Sequence, residues 1–199
     1  EDCCKAVREK KLKNILVSCG SIEERPLREL AQYLDAAHID LKGFDEETYR
    51  KLNSGRLEPV LRTLKVLKSM DVWVEVVNLV VPTYTDKLDV IRRMCEWLVE
   101  NLGPNTPVHF SRFHPQHKLT YLPPTSIKTL VEAREAARKA GLNFVYIGNV
   151  VGVPDAETTF CPNCKRPVVE RDVYLVRSMR IENDRCTNCQ CVVPGKWKA

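Results

Sequence analysis

Apolar and polar positions follow two rhythms along residues 1–150. Short apolar runs at residues 14–18, 38–42, 72–82, 108–113 and 143–147 have the length of strands buried beneath helices. Four longer segments carry apolar residues at steps of three or four, which fall on one helical face. These are residues 24–34 (Leu27, Leu30, Ala31, Leu34), 60–70 (Val60, Leu61, Leu64, Leu67), 86–102 (Leu88, Ile91, Cys95, Leu98, Leu102) and 125–140 (Ile127, Leu130, Val131, Ala137). The punctuation fits. Thr85 or Asp86 can cap the third helix and Gly103 can end it; Pro123-Pro124-Thr125 opens the fourth and Gly141 closes it.

Repeated strand–helix units predict an α/β fold with a parallel sheet and right-handed crossovers. The count is five strands, preceded by a partial helix at residues 2–10. A closed barrel needs eight strands. Two readings stay open on the residues alone: an open five-stranded sheet, or a barrel whose first strands are absent from this chain. After Asn149 the rhythm breaks. Residues 150–155 read as a linker, and residues 160–199 form a cysteine module with β-like runs at 168–170 and 173–176. The expected division is therefore 1–150 and 155–199.

Composition narrows the class. With 44% hydrophobic and 29% charged residues among 199, the chain has the balance of a globular protein. The most apolar stretch, residues 72–82, is interrupted by Glu75 and Asn78, and no run reaches the ~18 apolar residues of a membrane span. The first residues, Glu1-Asp2-Cys3-Cys4-Lys5, are charged and lack the apolar core of a signal peptide. Paired cysteines without a secretory signal point to metal binding in a reducing, cytoplasmic compartment, with no membrane association. Charge is uneven: residues 161–199 carry +4 of the chain's net +5, so any nucleic-acid footprint belongs to the tail.

Five of the nine cysteines lie in that tail. Cys161-Pro-Asn-Cys164 and Cys186-Thr-Asn-Cys189 are separated by 21 residues. Two such hairpins can place four thiolates around one ion, and the β-like segment between them suits a zinc ribbon. The same set suits a single iron in a rubredoxin-like site. Disulfide pairing is the simpler alternative. Two features depart from the usual ribbon: Lys165 and Gln190 follow the second cysteine of each pair where glycine is favoured, and Cys191 is an extra thiol beside the site.

In parallel βα architectures function gathers at the carboxyl ends of strands. Those ends read Ser18-Cys19-Gly20, Asp40-Leu41-Lys42, Asn78 through Pro82, and Ser111-Arg112-Phe113-His114. Asp40 and Lys42 are two apart and should point the same way, although a solvated ion pair explains them equally well. His114, before Pro115, also reads as a turn histidine, His38 as a strand-entry residue, and His109 and His117 as structural or exposed. No Gly-x-Gly-x-x-Gly or Walker pattern occurs.

Several strings carry a resemblance: Leu34-Asp-Ala-Ala-His-Ile-Asp-Leu-Lys-Gly-Phe44, Arg56-Leu-Glu-Pro-Val-Leu61, Asn78-Leu-Val-Val-Pro82, His109-Phe-Ser-Arg-Phe-His-Pro115, Tyr146-Ile-Gly-Asn149 and Thr159-Phe-Cys-Pro-Asn-Cys164. Over nearly its whole length the chain resembles radical S-adenosylmethionine (SAM) enzymes of the pyruvate formate-lyase activating enzyme-like group, more narrowly the AmmeMemoRadiSam system. The resemblance implies the C-terminal portion of a partial (β/α) barrel of the radical SAM type. It implies a cytoplasmic oxidoreductase that cleaves SAM reductively with a [4Fe–4S] cluster. It also implies SAM contacts from Ser18, Asp40, Lys42, Asn78 and His114. The family's Cys-x-x-x-Cys-x-x-Cys cluster loop and its Gly-Gly-Glu-type motif are not in this sequence. The chain alone is therefore expected to be inactive, and to pair its first strand with a missing N-terminal half or a second copy. Cys19 in place of Asn, and Lys11 at a helix-ending Gly position, depart from the pattern.

A zinc-ribbon nucleic-acid binder is disfavoured because only Tyr174 and Trp197 interleave the basic tail. A Schiff-base aldolase using Lys42 is disfavoured by the neighbouring Asp40.

Overall fold

A computed structural model describes residues 1–173 and 175–197. Tyr174, which falls in the second β-like run, and Lys198 of the basic tail lie outside the described residues. At the centre are five strands: β1 (Ile15–Ser18), β2 (Ala36–Asp40), β3 (Trp73–Val80), β4 (Val108–Arg112) and β5 (Val145–Gly148). All neighbours are parallel, and their spatial order is their chain order.

That order decides between the two sequence readings. A doubly wound sheet reverses direction at a switch point. A sheet that keeps winding one way with right-handed crossovers puts its helices on one face, as a barrel does. The contacts agree: α2 (Glu24–Ala31) packs on α4 (Leu57–Ser69), α4 on α5 (Leu88–Leu102), and α5 on α6 (Ile127–Lys139). The architecture is an arc of a barrel. The short helix α1 (Asp2–Glu9) precedes it and buries none of its residues.

Strand alternation divides the sheet into two faces. Ala37, Ile39, Val74, Val76, Val80, Val108, Phe110, Val145 and Ile147 are buried beneath the helices. Leu64, Leu98 and Leu130 meet them from α4, α5 and α6, all fully buried. Each such side chain contributes about 1.5–3 kcal/mol. The intervening residues, among them His38, Asp40, Glu75, His109 and Tyr146, form the inner face, away from the helices.

Two expectations about helices are corrected. α3 (Glu46–Asn53) was not expected, because it buries only Thr48 and Tyr49 and has little apolar periodicity; its start is marked by Asp45, which accepts from the Thr48 N–H at 2.7 Å. The caps also move. Lys87 precedes α5, while the Thr85 hydroxyl accepts from Val81 N and donates to the Leu79 carbonyl, tying the loop instead. Ser126, just after the Pro123-Pro124-Thr125 opening, caps α6, its hydroxyl accepting from Thr129 N. Gly103 and Gly141 end their helices with φ of 95° and 106°.

The C-terminal module contains an antiparallel sheet of β6 (Thr159–Phe160), β7 (Pro167–Asp172) and β8 (Leu175–Met179), and a hairpin of β9 (Ile181–Glu182) and β10 (Arg185–Cys186). Its small core of Val168, Val169, Ile181 and Val193 is continuous with Phe144, at the entrance to β5, and Tyr146. The module thus packs against the N-terminal end of the inner face. Among the described residues no helix is long and apolar enough to cross a membrane.

Candidate functional sites

The ribbon cysteines converge. The sulfurs of Cys161, Cys164, Cys186 and Cys189 all lie within 4.8 Å of one another, with Cys161–Cys189 at 3.5 Å and Cys164–Cys186 at 3.8 Å. A tetrahedral ion with metal–sulfur bonds of about 2.3 Å needs sulfur–sulfur edges of about 3.8 Å. The set therefore fits a tetrahedral metal ion. None of these cysteines forms a disulfide.

Backbone geometry supports this. Lys165 and Gln190 adopt φ of 59° and 60°, the left-handed turn for which glycine is usual. There Lys165 N donates to the Cys161 carbonyl at 3.1 Å, and Gln190 N to the Cys186 carbonyl at 2.8 Å. The turn aims the Cys191 N–H at Cys189, drawing that thiol down to about 6, and the Arg166 N–H at Cys164, which is also lowered. Burial pushes Cys161 up to about 12. Cys191 supplies that backbone N–H and stands outside the four-sulfur set.

At the carboxyl ends of the strands, the five residues expected to share one mouth divide by register. Asp40 and Lys42 come together, carboxylate to ammonium at 2.7 Å, each about 30% exposed (30% and 31%). The Tyr49 hydroxyl of α3 accepts from Lys42 N at 3.0 Å. Tyr49 is buried, which pushes its own pKa to about 12. His114 stands beyond β4 at the same end, exposed, its Nε2 3.3 Å from the Asn149 carbonyl beyond β5. Ser18 pairs in register with buried Ile39, so it takes the helix-side parity. Its Oγ accepts from Gly20 N at 3.1 Å. Gly20 is required here: φ is 75°, and a Cβ would meet Ile39 Cγ2 at 2.8 Å. Asn78 shares the parity of Val76 and Val80 and is 1% exposed. Its Nδ2 donates to the Leu41 carbonyl at 2.7 Å, and its Oδ1 is buried without a partner among the described residues. Cys19 is exposed at this end.

Sequence reasoning missed a third group. On the inner face Glu75 accepts from Trp73 Nε1 at 3.0 Å and lies 2.8 Å from His109 Nε2. The His109 ring stacks on Tyr146 at 4.9 Å and meets His38 edge-on at 5.5 Å. Tyr146 reaches Thr159 Oγ1 at 2.9 Å, which Arg171 also contacts. A sequence signal existed: Glu75 interrupts the most apolar run of the chain at a position whose neighbours, Val74 and Val76, face the core.

No protein-family model matches the chain. An uncharacterized protein of Methanocaldococcus jannaschii is 44% identical over 184 residues, covering 92% of this chain and 54% of the relative. The chain thus spans about half the length of the curated relative it matches. Among solved structures, a domain of pyruvate-formate lyase-activating enzyme from Bacteroides vulgatus superposes with TM-score 0.63 at 15% identity, covering 74% of this chain and 88% of that one. SuiB of Streptococcus suis bound to S-adenosylmethionine gives 0.59 at 14%, covering 81% and 39%. A radical SAM methyltransferase from Sphaerobacter thermophilus gives 0.57 at 10%, covering 74% and 45%. The chain shares the fold of these solved structures over its five-stranded parallel arc, and its four-cysteine module follows that arc in sequence.

Proposed function

We propose that this chain is the C-terminal portion of a radical SAM enzyme resembling the pyruvate formate-lyase activating enzymes. The observation that supports it best is the Asp40–Lys42 pair at the carboxyl end of a singly wound parallel sheet, on a fold shared with a SAM-bound structure. Lys42 would meet the methionyl carboxylate and Asp40 an amine or ribose hydroxyl, with His114 supplying a further polar contact. Asn78 would act from behind, fixing the Leu41 carbonyl and so the turn that carries Lys42, and Ser18 would brace the Gly20 turn of β1.

In that class a [4Fe–4S] cluster supplies the electron for reductive cleavage of SAM. The residues of this chain do not fit that cluster. No Cys-x-x-x-Cys-x-x-Cys loop is present, and Cys19 stands by itself at the open end. This portion therefore binds and orients, and the barrel strands before β1 would complete the site. The exposed residues Ile15 and Val17 lie on the inner face of edge strand β1; such strands would pair along its free edge and continue the arc over that face. The ribbon would carry zinc or a single iron.

The test is to express the chain together with the coding sequence upstream of Glu1, reconstitute with iron and sulfide, and add SAM and dithionite. Formation of 5′-deoxyadenosine, lost when the upstream cysteines are changed to alanine, is the expected result. An upstream segment with no such loop, or no 5′-deoxyadenosine, overturns the reading. The nucleic-acid alternative gains nothing from the structure: Arg177 pairs with Asp172 and Arg180 lies near Glu170.

A further inference from the structure

The inner-face group lines a cavity of about 340 Å³ bounded by Glu75, His109, Tyr146, Gly148, Glu157 and Arg171. A second of about 260 Å³ shares Glu75, Tyr146 and Arg171 with it and extends past Trp73 to Trp197 of the module. His109 and Tyr146 pair level with Asp40 and Gly148 lies two residues nearer the carboxyl end, so this space begins on the inner face beside Asp40 and runs past Trp73 and Phe144 toward the other end of the strands; none of the five residues of the SAM reading lines it.

Its charges are unusual in being held but not neutralised by one another. Arg171 is half-buried. Its NH1 donates to the Glu157 carbonyl at 3.2 Å and to Thr159 Oγ1 at 3.1 Å. Among the described residues it has no carboxylate within ion-pair distance, although Arg177 in β8 and Arg180 just after it do. A guanidinium fixed through one nitrogen leaves its remaining N–H groups for an anion. Facing it, Glu75 is held by Trp73 and His109, one bond to each oxygen, and each oxygen keeps a further lone pair. A metal ion is not the occupant these residues suit. Only the four ribbon cysteines bring three or more ligand atoms together among the described residues, and His38 and His109 meet edge to face rather than converging on one point. The His38 Nε2 is buried without a partner.

We propose that this cavity binds a small zwitterion of amino-acid size, its anionic end on Arg171 and its cationic end on Glu75. The size follows from the volume, which is at the small end of the roughly 300–1,000 Å³ of ligand pockets. The two-ended charge follows from Arg171 and the fixed Glu75 carboxylate on the same walls; exposed Lys196 and half-buried Glu157 line the space as well.

The experiment titrates the 199-residue chain, ¹⁵N-labelled, with the free α-amino acids one at a time. Propionate and ethylamine serve as single-charge controls, and histidine ring resonances are the readout. At least one amino acid moves the His109 resonances saturably, while propionate and ethylamine do not at the same concentrations. Arg171→Gln and Glu75→Gln each weaken that binding tenfold or more. Arg171→Lys, which keeps the charge, loses less, and Arg92→Gln, on the exposed face of α5 and outside both sites, leaves binding unchanged. Metal content and circular dichroism establish that the variants are folded. The proposal is overturned if no amino acid moves His109, if propionate or ethylamine binds as well, or if Arg171→Gln binds as tightly as the parent. It also falls if SAM moves His109 and the amino acids do not, because the cavity would then belong to the SAM site.

Discussion

Lys165 and Gln190 occupy equivalent left-handed positions, φ 59° and 60°, one residue past the second cysteine of each ribbon pair. Both side chains carry a Cβ that this conformation disfavours. Replacing either with glycine removes that strain but adds freedom to the unfolded chain. Lys165→Gly and Gln190→Gly are each expected to stabilise the metal-loaded module by up to about 1 kcal/mol. Thermal unfolding of the single variants measures it; a loss of stability in both would contradict the strain argument.

The four sulfurs lie within 4.8 Å of one another, so one metal ion per chain is expected. Elemental analysis should find zinc or iron at a ratio near one. Cys161→Ser or Cys186→Ser should lose the ion and unfold residues 160–199 while the sheet persists, with some loosening at Phe144 and Tyr146, which share the module's core. Purified protein without metal and with disulfide-paired thiols would refute this.

In the longer enzyme, Lys42→Ala should weaken SAM binding by roughly 1.5–3 kcal/mol, the range for a hydrogen bond to a charged group. The 199-residue chain is expected to bind SAM weakly or not at all. Equilibrium dialysis with labelled SAM distinguishes these outcomes, and unchanged affinity in the Lys42→Ala enzyme would remove Lys42 from the site.

Stability should fall on acidification in two stages. Burial, and then the neighbouring His109, hold the His38 pKa below 6.5 despite the opposing charges of Glu75 and Asp40. Burial pushes Glu75 up, but the hydrogen bond and charge of His109, with Trp73 and His38, bring it below 4.5. Both groups are thus deprotonated more readily in the folded state. The His38 contribution is complete above 6.5 and is lost as pH drops through its lower folded value; the Glu75 loss follows below 4.5. Urea midpoints between pH 7.5 and 4 should show this, and His38→Gln should flatten the upper stage.

Edge strand β1 leaves Ile15 and Val17 65% and 71% exposed, with Leu12 nearby at 62%. Without the strands expected to cover it, the chain should self-associate as concentration rises. Sedimentation velocity should show this, and Val17→Lys should reduce it. A monomer at every concentration would speak against an edge that needs covering.

The residue pattern by itself determined the five strands, the four long helices and the four cysteines that converge in the module. Each of these depends on local periodicity or on spacing within a hairpin. It reached Asp40 and Lys42 for the same reason, since neighbours two apart on a strand share a face. The choice between barrel arc and open sheet needed the strand order, which is a set of long-range pairings that no local pattern encodes. Register then turned Ser18 and Asn78 toward the helices, away from the face of Asp40, because a strand's side chains reverse face with every residue. α3 escaped because a helix with two buried residues leaves little apolar rhythm. Above all, His38, Glu75, His109 and Tyr146 come from four strands spread over more than a hundred residues. Only the folded sheet makes neighbours of them, and the cavity lined by Glu75, His109 and Tyr146 takes its further wall from Arg171 and Trp197 of the module.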